Sequence, residues 1–288
     1  FKCFISWIGN KIWLPYPLKL LIITSTELLM NFLHFWRIKS VKVQKVKNRT
    51  CLITGGSKSI GRKLVLFLKE AGYDITVLSR TSPKIDNVKW IKLDLSDIEE
   101  IHNFKFEQQI DLLVLNAGIL TEKFDQIDLN FKVNFLSHYL LYENIKSCLH
   151  DQSRVVLTSS CMGLTISDFN PFEKSSIKGK KYAESKFCVF LLGRYISKTY
   201  QTVILHPGII PTELFNGSLE RFIVLKLLYF FTNSINEGAN VLLNACQTHI
   251  LPNHRLIFFY GFDRMEIPKS ITKVNLNRLL EITKKILL

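Results

Sequence analysis

Thr50-Cys-Leu-Ile-Thr-Gly-Gly-Ser-Lys-Ser-Ile-Gly61 reads as an apolar strand, a glycine-rich turn and the start of a helix. The helix continues: Leu64, Val65, Leu68 and Ala71 recur at one-turn intervals from Ile60, and Gly72 ends the run. Glycine lets backbone approach a ligand closely. A helix start offers unpaired N–H groups at the positive end of its dipole. The turn Thr54-Gly-Gly-Ser-Lys-Ser-Ile-Gly61 is therefore suited to wrapping a phosphate. Alone it is weak evidence, because any structural turn draws on the same residues.

Working outward, further apolar runs occur at 74–79, 89–95, 111–115, 154–159, 201–206 and 255–260, with helical spacing between several of them. Apolar strands separated by helices imply an α/β fold, a parallel sheet covered on both faces. The order fits a doubly wound Rossmann-type domain with ligand at the carboxyl ends of the strands. Residues 271–288 read as a terminal amphipathic helix, with Leu276, Leu279, Leu280 and Ile286 on or near one face.

The chemistry concentrates in Gly179-Lys-Lys-Tyr-Ala-Glu-Ser-Lys186. Tyr182 and Lys186, four apart, share one helix face. An ammonium beside a phenol favours the phenolate, so the expectation is a Tyr pKa drawn from about 10 toward neutrality. Such a group exchanges protons in carbonyl and alcohol chemistry. Tyr-x-x-x-Lys also arises by chance on solvated helices. Here it follows Arg154-Val-Val-Leu-Thr-Ser-Ser160, a β-branched strand ending in two hydroxyls. Leu115-Asn-Ala-Gly118, Asn134 within Lys132-Val-Asn-Phe-Leu136, and Val203-Ile-Leu-His-Pro-Gly208 complete the set.

In this order the motifs resemble the short-chain dehydrogenase/reductase superfamily, most closely its membrane-associated retinol dehydrogenase-like branch, over roughly residues 50–265. The resemblance implies that Tyr182 is the acid/base, that Lys186 lowers its pKa and holds the nicotinamide ribose, that Ser160 rather than Ser159 orients the reacting oxygen, and that Asn134 supports a proton path. It also implies that Gly55, Ser57, Lys58, Ser59, Ile60 and Gly61 wrap the pyrophosphate. Ser59 stands where the family has its middle glycine, and Leu115 where it has a first asparagine. Asp94 would contact adenine or, alternatively, cap a helix. Asn116, Ala117 and Gly118 would line the cofactor by backbone. Pro207 and Gly208 would turn under the nicotinamide, and Thr212 would touch its carboxamide or phosphate region. No acid ends Val77-Leu-Ser-Arg80, and Arg80 with Lys58 suits a 2′-phosphate, so the expected cofactor is NADP(H).

The implied activity is interconversion of a lipophilic alcohol with its aldehyde or ketone, of retinoid, steroid or polyprenoid class. The rival is a catalytically silent dinucleotide-binding or scaffold protein, supported by Ser59 and Leu115. A homodimer is the family habit. The apolar stretch 219–231 falls where the family carries its substrate lid.

Composition agrees with a folded chain that has a sizeable core: 288 residues, 47% hydrophobic and 22% charged. Net charge is +14. No nucleic-acid-binding motif accompanies it, so anionic lipid or a phosphate-rich ligand is preferred to nucleic acid. The six cysteines are dispersed and form no metal-like spacing with histidine, so reduced packed thiols are expected and no metal. The expected organisation is an apolar segment over 1–36, a basic linker over 37–49 and the Rossmann-type domain over 50–288. Residues 20–36 are apolar but short, and Glu27 and His34 interrupt them. Three placements stay open: a membrane span, an in-plane hairpin, or a helix packed on the domain. Trp7, Trp13, Tyr16 and Trp36 suit an interface. Six basic residues and no acid lie between Arg37 and Arg49. Beside a membrane they would orient the domain to the cytosol, and the resemblance implies the endoplasmic reticulum. Away from one, Val41, Val43 and Val46 could form a short strand. With the domain in the cytosol, the sequons at Asn48 and Asn216 are chance matches.

Overall fold

The computed structural model describes residues 15–33, 40–212, 214, 232–249 and 255–287; the lid stretch 219–231, His34, Trp7, Trp13, Trp36 and Asn216 lie outside these residues. Eight strands form one sheet: β1 Arg49–Thr54, β2 Tyr73–Ser79, β3 Lys89–Lys92, β4 Ile110–Leu115, β5 Leu149–Thr158, β6 Gln201–His206, β7 Leu256–Tyr260 and β8 Asp263–Met265. Their order is β3-β2-β1-β4-β5-β6-β7-β8, parallel except for the antiparallel β7–β8 edge. The chain starts at the centre, winds out through β3, then returns past β1 to β4 and beyond. That reversal opens a crevice at the carboxyl ends of β1 and β4.

The helices are α1 Tyr16–Leu33, α2 Ser59–Ala71, α3 Ile98–Asn103, α4 in three joined pieces (Leu129–Phe131, a π-helical Lys132–Leu136, and Ser137–Ile145), α5 Lys180–Ile196, α6 Ile235–Gln247 and α7 Lys273–Leu287. Strand alternation divides the core in two. Cys51, Ile53, Val77, Val114, Val203 and Phe259 point to one face, where Leu64, Val65 and Leu68 of α2 and Val241 and Leu242 of α6 cover them. Leu52, Leu113, Leu157, Ile204 and Phe258 point to the other, beneath Leu141 of α4, Phe187 and Phe190 of α5, Leu279 of α7 and Ile23 of α1. Helix α2 stops at Gly72, whose φ of +98° lets its N–H return to Leu68 O and Lys69 O. A capping box between Ser234 and Glu237 starts α6.

Three local readings change. The run 89–95 yields only the four-residue β3, exposed throughout, because it is the sheet edge. The basic stretch is not a strand: Val41 and Val43 pack on the second core, Val41 N–H donates to Asn240 Oδ1 at 2.9 Å, and Val46 N–H donates to Ala71 O at 2.8 Å. Over Tyr16–Leu33, the packed alternative is the one the structure shows. Helix α1 lies against the 3₁₀ turn Cys161–Thr165, with Ile23 fully buried and Glu27 2% exposed. Among the described residues no helix is long and apolar enough to cross a membrane.

Candidate active site

The crevice begins where β1 ends. Gly55 takes φ +69°, and Ser59, at the family's glycine position, takes φ +47°. The turn therefore keeps a left-handed residue there at the cost of steric strain. At Gly61 an added Cβ would stand 2.2 Å from Gly55 O and 2.7 Å from Asn116 Nδ2, so no side chain fits. Lys58 precedes α2 without capping it by its side chain. The first turn of α2 thus offers its N–H groups and positive dipole end with no side-chain oxygen from the N-cap.

Thr54, given no role by sequence reasoning, joins three elements. Its Oγ1 accepts from Asn116 N–H at 3.0 Å and Ala117 N–H at 3.1 Å, and lies 2.9 Å from His138 Nε2. His138 Nδ1 lies 3.0 Å from Asn134 O. A carbonyl only accepts, so Nδ1 carries the proton and Nε2 accepts the Thr54 hydroxyl. Burial pushes His138 down to about 4, which keeps it neutral. The legible signal was its position four after Asn134, on the same helix face. Asn116 ties the strand ends together: Nδ2 donates to Gly55 O at 3.3 Å, and Oδ1 accepts from Thr158 Oγ1 at 3.2 Å.

Asn134 sits in the π-helical turn of α4 and is fully buried. Its Oδ1 accepts from Ile119 N–H at 2.8 Å, and its Nδ2 donates to Ile119 O at 3.0 Å and Ser185 Oγ at 2.9 Å. The amide thus staples the loop after β4 to α5. A Cβ built on Gly118 would meet both Lys186 Nζ, at 3.1 Å, and Asn134 Oδ1, at 3.2 Å. Gly118, Asn134 and Lys186 therefore converge.

The two serines after β5 divide. Ser159 Oγ is spent on Lys186 O at 2.9 Å, while the Ser160 hydroxyl bonds Tyr182 and accepts from Met162 N–H at 3.3 Å. Lys186 Nζ donates to Thr158 O at 3.0 Å and lies 5.7 Å from the Tyr182 ring centroid. The electrostatics differ from the sequence expectation. Burial pushes Tyr182 above its ordinary value, opposed only by the Ser160 bond. Burial also pulls Lys186 down to about 8. Desolvation dominates at both groups because both are enclosed. Tyr182 is accordingly a phenol carrying its proton at neutral pH.

The remaining expected residues spread along the same sheet edge. Arg80 and Lys58 are exposed, and their turns are joined by a Thr81–Ser57 hydroxyl bond of 3.3 Å. Asp94 accepts from Ser96 N–H at 2.9 Å and the Ser96 hydroxyl at 2.8 Å, and feels the charge of Arg80. The cap of α3 is Asp97, not Asp94. Ile60 is half-buried beside Gly238. Past β6, Pro207 leads into Gly208 at φ +99°, where a Cβ would stand 2.2 Å from Asn233 Oδ1. Thr212 stands beyond that turn, accepting from Leu214 N–H at 3.4 Å, and is not brought to the Ser160–Tyr182 group by any bond among the described residues. Five described cysteines are free thiols.

This fold has known counterparts. A solved structure described as a putative NAD(P) dependent gluconate 5-dehydrogenase from Beutenbergia cavernae superposes with a TM-score of 0.61 at 17% identity, over 76% of this chain and 97% of that one. An uncharacterized short-chain type dehydrogenase/reductase of Sinorhizobium fredii is 29% identical over 62% of this chain and 76% of its own length. Retinol dehydrogenase 12 of Homo sapiens is 27% identical over 70% of this chain and 74% of its own. Residues 51–244 match the NAD dependent epimerase/dehydratase family. That match spans two strand–helix halves of the sheet, and with these relatives the chain belongs to that family, among the short-chain dehydrogenases/reductases.

Proposed function

We propose that the chain is an NADP(H)-dependent oxidoreductase that interconverts a lipophilic alcohol with its aldehyde or ketone. The observation that carries the reading is the convergence of Ser160, Tyr182, Lys186 and Asn134 at the edge of the sheet that also carries the turn ending in Gly61, where no Cβ fits. The turn fits a dinucleotide: Gly61 leaves no room for a Cβ, and α2 presents first-turn N–H groups that its N-cap side chain does not use. Arg80 and Lys58, exposed on the joined turns beyond β2 and β1, supply the positive charge that a 2′-phosphate requires.

When bound, the nicotinamide supplies or accepts the hydride. Ser160 donates toward the carbonyl oxygen and orients it. Tyr182, held as a phenol, gives its proton to that oxygen as charge develops. Lys186, with a pKa near 8, is charged in most molecules at neutral pH and stabilises the phenolate left behind. Asn134 holds the 117–119 loop and Ser185 in place around the lysine. The lipophilic class rests on the retinol dehydrogenase likeness and on the outward leucines of α1.

The test is a panel of lipid aldehydes with NADPH and NADH, run on wild type, Tyr182→Phe and Arg80→Asp. Tyr182→Phe is expected to lose about 10²–10⁴-fold in turnover while still binding NADPH. Turnover of the Phe variant within about tenfold of wild type removes Tyr182 from the mechanism. Arg80→Asp is expected to move the NADPH/NADH ratio of kcat/KM toward NADH; an unchanged ratio overturns the cofactor assignment.

A further inference from the structure

Glu27 belongs to the N-terminal segment, yet its carboxylate is fully enclosed by the domain that follows. Glu27 Oε1 accepts from His206 Nε2 at 3.0 Å and Ile209 N–H at 2.8 Å; Oε2 accepts from Tyr260 Oη at 2.7 Å and lies 3.1 Å from His206 Nε2. The Cys161 thiol also bonds it. One carboxylate from α1 therefore ties four places: the end of β6, the backbone just past Gly208, the end of β7, and the residue after Ser160. A carboxylate offers about four lone-pair sites, and these contacts occupy them. Among the described residues no hydrogen bond is seen at the buried His206 Nδ1, and the Cys161 thiol bonds the same imidazole.

We propose that Glu27 is a positioning residue for the nicotinamide end of the cofactor site, acting through the turn His206-Pro207-Gly208-Ile209. The proposal rests on the functional reading above, which puts this turn at the ligand edge of the sheet. The turn stands at the carboxyl end of β6, where ligands of this fold bind. Its left-handed Gly208 leaves it little intrinsic preference for one path. Fixing Ile209 N–H and the His206 ring from opposite sides of Gly208 selects that path. Contact with Cys161 carries the same bracing to the segment bearing Ser160. The N-terminal helix is in this view a wall of the site.

The experiment uses the full chain as wild type, Glu27→Gln and Tyr260→Phe. Glutamine keeps the shape but removes the charge, leaving one acceptor oxygen where two served. Tyr260→Phe removes one donor and leaves the carboxylate. Two readouts are taken. Hydrogen exchange of the peptide 206–211 reports the turn without any nucleotide. Binding of NADPH is compared with binding of 2′,5′-ADP, which lacks the nicotinamide half. Glu27→Gln is expected to speed exchange at 206–211 by about tenfold or more beyond whatever change α6 shows. NADPH affinity is expected to fall by about tenfold, with 2′,5′-ADP affinity held within about twofold. Tyr260→Phe is expected to show the same split, about two- to threefold.

Equal losses for both ligands, or unchanged exchange at 206–211, would overturn the positioning role. Should Glu27→Gln fail to fold, a wild-type NADPH/2′,5′-ADP ratio in Tyr260→Phe also overturns it. If wild type binds no nicotinamide nucleotide, the functional reading fails, and the exchange arm alone decides whether Glu27 orders the turn. Glu27, Cys161 and His206 also present donor atoms within 4.8 Å of one another. One equivalent of zinc in the purified wild type, absent from Glu27→Gln, would replace the hydrogen-bonded clamp with a metal site and overturn the proposal.

Discussion

At the scale of single residues, the site stores unfavourable states. Lys186 is an enclosed ammonium whose pKa falls from an ordinary ~10.4 to about 8. A lowered lysine pKa is a cost to the fold. The cost is fully present below about pH 8 and is relieved as pH rises through the unfolded value, where the unfolded chain holds more protons. Lys186→Met is therefore expected to abolish turnover yet raise stability at pH 7, by about 3 kcal/mol as an order of magnitude. The advantage should shrink between about pH 8 and 10.5. Urea midpoints across that range check it, and a destabilised Met variant at pH 7 contradicts the burial argument. Ser59 is a second such residue, at φ +47°. A left-handed L-residue costs roughly 1–2 kcal/mol, while glycine adds about 0.5–1 kcal/mol of unfolded-state entropy. Ser59→Gly should therefore stabilise by up to about 1 kcal/mol, read as a higher melting temperature. A lower one would mean that the serine hydroxyl contributes more than its backbone costs.

At the scale of elements, α1 depends on one ion pair. Burial alone would push Glu27 up, but the charge and hydrogen bond of His206, with Tyr260 and Cys161, hold it below its ordinary value. Burial alone would pull His206 down, but Cys161 and Glu27 raise it to about 10. The raised histidine stabilises fully below about pH 6.5 and loses that contribution as pH climbs toward 10; the lowered carboxylate stabilises above its ordinary range and fails in acid. The pair therefore contributes most between about pH 5 and 6.5. Breaking a buried pair costs about 3–5 kcal/mol. Glu27→Gln should be less stable by that order in this window, with the gap closing toward pH 10. A gap independent of pH would show that packing, not charge, docks the helix. Elsewhere, the π-helical turn Lys132–Leu136 is what frees Asn134 to face Ser185 and Ile119.

At the scale of the whole molecule, one side of α1 is committed to the core while the other shows Leu18, Leu21 and Leu29 at 42%, 61% and 54% exposure. With a net charge of +14, this favours peripheral binding to an anionic membrane. Wild type should sediment with phosphatidylserine vesicles and be released by alkaline carbonate, whereas Leu21→Ser with Leu29→Ser should bind several-fold less. Equal binding of both proteins would exclude this face. The doubly wound parallel sheet was legible in the chain, because β-branched runs, the turn at 54–61 and one-turn spacing after Ile60 are local and repeat the same physics. The edge strand Asp263–Met265 was not, since three residues of mixed polarity acquire a strand only by pairing with β7. Ser160, Tyr182, Lys186 and Asn134 could be named from their motifs. Their state could not: whether Lys186 lowers Tyr182 or burial raises it is a contest between distance and desolvation, and both depend on surroundings brought in from β5, α4 and α5. The same holds for α1. The sequence by itself marked residues 20–36 as a short apolar segment and left a span, an in-plane hairpin and a packed helix open. Only the tertiary structure decided among them, because Glu27 finds its partners 179 and 233 residues away, and no local signal spans that distance.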